Sequence, residues 1–316
     1  MAVAETRFRV MASAAHVIVV DGPPEAGAVA RRGLGELEGA WSRFRPDSDV
    51  SRLNCSAGDP QIVNEVTVTL VETLEQAWRL SEGLLDPTVL PALLDAGYLA
   101  SIDDPQVTTR LPDGFRPDGT NITAVVIDRD RHTITFPPGL VIDPGGIGKG
   151  LAADLVVAEL LHRGAAGALV VIGGDLAAAG SPPRPEGWGV TVEDPFAPGA
   201  IIGHWALSAG GVATSSTRSR RLTDHAGVTG HHLIDPRTGS VSDTDLAAVS
   251  VVGSCGWQAE AHATAAVLGG STGLVPYLER HGLHGLGVTN TGQLLGTDRC
   301  AGSEPDGPAR PMATTR

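Results

Sequence analysis

The chain has 316 residues, 42% hydrophobic but only 4% aromatic, with 41 glycines and a formal net charge of −13. Such a length allows one large α/β unit or about two average domains, and the acidic balance excludes nucleic acid or an anionic membrane as the main partner. Three widely separated cysteines, Cys55, Cys255 and Cys300, exclude a disulfide framework and a zinc knuckle and fit a reducing compartment.

A short buried strand is expected at Val17 to Val20. A helix follows from about Glu25, with Leu34, Leu37, Trp41 and Phe44 at three- and four-residue spacing, and Arg45-Pro46-Asp47-Ser48 breaks it. A second helix runs from Glu65 to Ser81, stopped by Gly83. Two strands, Ala124 to Ile127 and Thr133 to Phe136, flank a charged turn and predict a hairpin. A helix bearing Leu151, Leu155, Leu160 and Leu161 ends at Gly164, and the apolar run Ala168 to Ile172 is a strand closed by Gly173-Gly174-Asp175. A further strand spans Trp188 to Val192. Strands at Trp205 to Ser208 and Ala247 to Val252 flank a polar loop, and helices are expected near Gln258 to Leu268 and Leu274 to His281. No repeat and no apolar run near the ~18 residues of a membrane span is present, and the N-terminus lacks a signal-like core. The expectation is a cytoplasmic protein with one domain over 1–297 and a disordered tail over 298–316.

Residues Asp143 to Asp154 form a glycine-dense turn that carries Lys149 and leads directly into a helix. Glycines let the backbone approach an anion, helix-start N–H groups point at it, and the ammonium adds a full charge. The loop is neither a Walker loop, since Asp143 and Gly150 stand where that motif needs glycine and a hydroxyl residue, nor a dinucleotide fingerprint. A phosphate cradle and a helix-opening turn with a solvated lysine both remain open.

Glu260 and Thr264 lie four apart on one helical face, where two oxygens can hold a hard cation such as magnesium or simply face solvent. His232 sits where a strand end enters a turn, placed either to guide a proton or to bond the backbone. Hydrolase-elbow, zinc-protease and kinase signatures are absent.

Taken in order, Met11-Ala12-Ser13, Phe44 to Asn54, Gly83 to Thr88, Asp143 to Asp154, His232 to Gly239 and Ala259 to Ala265 resemble the ApbE family of flavin transferases, the FAD:protein FMN transferases. Gly173-Gly174-Asp175 and Ala213-Thr214-Ser215 also look like short signatures of that family. The resemblance implies an α/β (α+β) fold of the ApbE type, T-fold-like, with mixed sheets, helices and an FAD cleft between the halves. It implies flavin near Met11, Phe44 and the backbone of Leu84, Leu85 and Asp86. Asp143, Lys149 and the stretch at Leu233 and Ile234 would meet the pyrophosphate and adenosine. Mg2+ would be held by the Gly146 carbonyl, Glu260 and Thr264.

The implied reaction is Mg-dependent transfer of FMN from FAD to a threonine or serine hydroxyl of an acceptor protein, releasing AMP, with His232 guiding the proton. Hydrolysis of FAD to FMN and AMP, and flavin binding without catalysis, are the alternatives. Glu260 stands where the family usually has aspartate, Phe44 where tyrosine is common, Pro144 in place of a large apolar residue and Ser216 in place of glycine.

Overall fold

The chain from Val3 to Val20 folds back on itself as a hairpin, its second arm of mainly small and β-branched residues alternating in burial, and this hairpin begins the central sheet. The computed structural model describes residues 1–223, 227 and 229–297; the expected tail, with Cys300, lies outside the described residues. In chain order the first half contains β1 (Val3–Val10), β2 (Ser13–Val20), α1 (Ala26–Trp41), α2 (Asp49–Asn54), β3 (Gln61–Ile62), α3 (Glu65–Leu80), α4 (Leu90–Asp95), β4 (Val126–Asp128), β5 (Thr133–Thr135) and α5 (Gly148–His162). The second half starts with β6 (Gly167–Ile172), β7 (Asp175–Gly180), β8 (Trp188–Asp194), β9 (Ala197–Leu207), β10 (Gly210–Ser216), β11 (Arg221–Thr223) and β12 (Thr229–His231). It closes with β13 (Ile234–Asp235), β14 (Ser240–Val241), β15 (Leu246–Gly253), α6 (Gly256–Leu268), α7 (Gly270–Arg280), β16 (His284–Thr289) and β17 (Leu294–Gly296).

Eight strands form one sheet in the order β1-β2-β6-β7-β10-β15-β16-β17, and every ladder in it is antiparallel. Helices and several sheets define the α/β class, and the antiparallel ladders place it on the α+β side of that class. On one face α5 lies against β6 and β7, and α6 against β10 and β15. On the other face the β8–β9 ribbon sets Trp188, Val190, Val192, Trp205 and Leu207 against Leu169, Leu176 and Val212. Strand β6 is therefore buried on both sides, with Ala168, Val170 and Ile172 toward the helices and Leu169 toward the ribbon. A continuous apolar run is the sequence such a strand requires.

Several expected elements shift. The strand at Val17 to Val20 is the end of β2, and its partner β1 is an edge strand whose Arg, Glu and Thr residues hide the pattern. Helix α1 stops at Trp41, so Phe44 lies in the turn beyond it and not on the helix face. The polar loop expected before Ala247 contains β10, whose Gly-Gly-Val-Ala-Thr-Ser-Ser sequence has little strand preference. Pairing with β7 and β15 on both sides makes it a strand. The expected Trp205 strand is the end of the longer β9, and α7 begins at Gly270 rather than at Leu274. Cys55 and Cys255 are free thiols. Among the described residues no helix is long and apolar enough to cross a membrane.

Candidate active site

Two hairpin turns stand side by side at the edge of the cleft. Met11 and Ala12 form the β1–β2 turn with φ of 50° and 54°, a conformation L side chains rarely adopt. The Met11 N–H is held by Glu38 Oε1 at 2.8 Å. In the β6–β7 turn Gly173 and Gly174 take φ of 62° and 109°, and a Cβ on Gly173 would stand 2.7 Å from Ser13 Oγ. Glycine is required there, because the neighbouring turn fills the space.

The glycine loop is built by its own aspartate. Asp143 Oδ1 accepts the Gly145 N–H at 2.5 Å, fixing a single 3-10 turn from Pro144 to Gly146 before α5 starts. The Asp143 N–H in turn donates to the Pro87 carbonyl at 2.8 Å, and a Cβ at Gly146 would meet Leu85 Cδ1 at 2.9 Å. The segment with Leu84, Leu85 and Asp86 is thereby tied to the loop. Asp86 holds Thr88 through one carboxylate oxygen, Oδ1, at 2.8 Å to the amide and 2.6 Å to the hydroxyl.

Arg43, which the sequence did not single out, joins the walls. Its guanidinium donates to Asp143 Oδ2 at 2.6 Å, to the Tyr98 carbonyl at 3.0 Å and to Thr109 Oγ1. It also lies 4.1 Å from the Phe44 ring centre and 4.6 Å from that of Tyr98. A buried arginine stacked on two aromatics and paired with a carboxylate is rigid in a way that lysine would not be.

At the cleft floor Lys149 Nζ contacts Asp175 Oδ2 and lies 2.7 Å from Glu260 Oε1, while Glu260 Oε2 accepts the Gly150 N–H at 2.8 Å. Both carboxylate side chains are about 5% exposed or less. Burial opposes the Lys149 charge, but Asp175 and Glu260 outweigh it and its pKa is raised. Burial raises the Glu260 carboxyl to about 7, with Asp175 adding to the rise and Lys149 opposing it. The lysine thus gains from two anions, whereas each carboxylate shares one cation. Thr264 Oγ1 and Ser215 Oγ are 3.0 Å apart. His232 lies in the bend between β12 and β13, its Nδ1 buried and without a partner among the described residues. Burial first, then Arg220 and Lys149, lower its pKa to about 3, so the ring is neutral.

These side chains line two adjoining cavities. One, of about 310 Å³, is lined by Leu84, Leu85, Asp86, Gly146, His232, Leu233, Ile234, Glu260 and Thr264; the other, of about 280 Å³, by Met11, Arg43 and Phe44. Asp143, Lys149 and Arg220 line both. Every site residue expected from sequence is therefore brought to one two-compartment cleft. Asp175, from the Gly173-Gly174-Asp175 signature, joins them, and so do two residues not foreseen: Arg43 sits beside a helix breaker and Arg220 in the basic run Arg218-Ser219-Arg220-Arg221, both patterns of a solvated surface.

An α+β protein with a divided cleft, an anion-ready glycine loop and a charged floor is the class that this geometry defines. The sequence profile of the ApbE family matches residues 6–286. The FAD:protein FMN transferase of Treponema pallidum is 30% identical over 252 residues, covering 73% of this chain and 68% of the relative. That of Rhodobacter capsulatus is 29% identical over 286 residues, which is 86% of this chain and 52% of the relative, so the chain spans about half the length of that protein. Among solved structures, apo flavinyl transferase ApbE of Pseudomonas stutzeri superposes with a TM-score of 0.77 at 27% identity, covering 96% of this chain and 98% of that one. The ApbE protein of Thermotoga maritima gives 0.80 at 23%, covering 94% and 98%, a likeness of fold. The chain belongs to the ApbE family.

Proposed function

We propose that the protein transfers FMN from FAD to a threonine or serine hydroxyl of an acceptor protein, with magnesium, releasing AMP. The observation that carries this reading is the convergence of loop, lysine, carboxylate and His232, far apart in sequence, on one cleft with two compartments. A dinucleotide has two aromatic ends and a diphosphate between them, and the residues shared by both cavities include the charged Asp143, Lys149 and Arg220. Met11, Phe44 and the backbone at Leu84 to Asp86 would hold the flavin; Asp143, Lys149 and Ile234 would hold the remainder.

The donor set suits magnesium. The Gly146 carbonyl, Glu260 and Thr264 are hard oxygen donors on one cavity wall, and the floor holds one ammonium against two buried carboxylates, a balance that favours a further cation. Bound there, magnesium would neutralise phosphate oxygens as a Lewis acid.

Lys149 and the α5 N-terminus would stabilise charge on the diphosphate during transfer. His232, neutral and with Nδ1 unpartnered among the described residues, would accept the acceptor's hydroxyl proton. The hydroxyl oxygen would bond to the phosphorus on the riboflavin side, and the bond from that phosphorus to the bridging oxygen would break. AMP would leave with that oxygen, and the proton would pass from His232 to solvent or product.

The test is to incubate the purified protein with FAD and magnesium, with and without an acceptor domain carrying a target threonine, following AMP and covalent flavin. AMP only with the acceptor is expected. AMP without it would identify a FAD hydrolase, and no AMP in either case would leave a flavin-binding protein.

A further inference from the structure

Asp175 has no place in the residue set proposed above, yet it is the third charged group of the cleft floor. It opens β7 directly after the Gly173-Gly174 turn, which fixes its backbone. It is 3% exposed, with one carboxylate oxygen on Lys149 Nζ and the other accepting the Thr214 N–H at 3.2 Å. Lys149 therefore has two carboxylate partners on different elements, Asp175 on the sheet and Glu260 on α6.

The two partners are not equivalent. Glu260 is also the only acidic member of the oxygen set that suits a cation, and its Oε1 is already 2.7 Å from the ammonium. A lysine held by Glu260 alone would exclude a divalent ion, or be expelled by it, because like charges at that range repel strongly where water is scarce. The other charged side chains nearby do not remove this conflict. Arg220 is a second cation facing Lys149, Asp143 is committed to Arg43, and His232 is neutral.

We propose that Asp175 is the positioning residue for Lys149: it retains the ammonium on the cleft floor when Glu260 turns to the metal, so that lysine and cation act together on the diphosphate. The inference rests on the transferase reading of the cleft. It gives the glycine-glycine-aspartate turn a task, which is to anchor a lysine from the sheet side so that the helix side is free for metal.

The proposal is tested by titrating magnesium into the FAD-free protein by calorimetry. Asp175→Asn keeps the acceptor for the Thr214 N–H but removes the charge, and Lys149 then rests on Glu260 alone. The magnesium dissociation constant is expected to rise by about ten-fold or more. Lys149→Met removes the competitor and is expected to tighten magnesium binding, and the double variant returns to within about three-fold of wild type, the signature of coupled charges. Asp175→Glu, which keeps the charge on a longer stem, is expected to retain magnesium affinity and FAD KM while lowering kcat for AMP release.

Magnesium affinity unchanged in Asp175→Asn, or a double variant weaker than either single variant, overturns the proposal. So does wild-type protein that takes up no magnesium. Circular dichroism confirms that each variant is folded, and if Asp175→Asn is not, Asp175→Glu and Lys149→Met carry the decision. Wild type that binds magnesium but releases no AMP would instead sink the transferase reading and leave the titration to decide the role of Asp175.

Discussion

Burial keeps His232 neutral, and its neutrality ties stability to pH. Its pKa in the folded protein is about 3 against 6.5 for a free histidine, so between those values the unfolded chain binds a proton that the folded one does not. Stability present above pH 6.5 is therefore lost as the pH falls, by up to about 1.4 kcal/mol per unit for each such group. His262, bonded through Nδ1 to the Tyr277 hydroxyl at 2.8 Å and lowered by burial to about 4, acts in the same direction. Urea unfolding from about pH 7 to about pH 4.5 should show the decline, and His232→Asn should make it shallower by part of one proton's share. A variant as steep as wild type would show that burial of His232 carries no such penalty.

Helices α5 and α6 start side by side, and neither caps itself: no side chain at its own N-cap bonds its first turn. Each is capped by the other. Glu260 of α6 accepts the Gly150 N–H at 2.8 Å, and Asp154 of α5 accepts the N–H groups of Gly256 and Trp257 at 2.8 and 2.9 Å. Carboxylates at helix N-termini are favoured by the dipole as well as by the hydrogen bonds. The exchange works because the backbones touch. A Cβ at Gly150 would lie 2.4 Å from the Gly256 carbonyl oxygen, and one at Gly256 would lie 2.6 Å from that of Gly150. Backbone cannot yield as a side chain does, so Gly150→Ala should destabilise by about 3 kcal/mol or more, at the upper end of overpacking. Asp154→Ala leaves two N–H groups unpartnered and should cost about 1–3 kcal/mol. Burial raises the Asp154 carboxyl, so its charge is itself a burden, and Asp154→Asn should be milder than Asp154→Ala. Equal stability of the Asn and Ala variants would show that the cross-cap contributes little.

Across the whole molecule, what could be read from sequence divides by the range of the interaction. Helices α3, α5 and α6 and strand β6 show in local apolar patterns, and the Lys149 loop shows in its glycines. Strands β7 and β10, rich in alanine, glycine and serine, do not, because their neighbours in the sheet and not their composition decide them. The site divides likewise. Glu260 and Thr264 form a local pair, but Arg43 meets Asp143 across 100 residues and Lys149 meets Glu260 across 111, contacts that no sequence window contains. The cleft is lined from Met11 to Thr264, so ligand and fold should be coupled over that whole length. FAD at about one hundred times its dissociation constant, binding only the folded state, should add about 2.7 kcal/mol. With magnesium present, that should raise the melting midpoint by on the order of 5 °C. Because residues on both sides of α5 contribute walls, the transition should remain single and move as one in differential scanning calorimetry. AMP, filling one compartment, should shift it less. Two transitions of which FAD moves only one would mean that one part of the chain holds the ligand by itself, and an equal shift with AMP would mean that the Met11 and Phe44 compartment takes no part in binding.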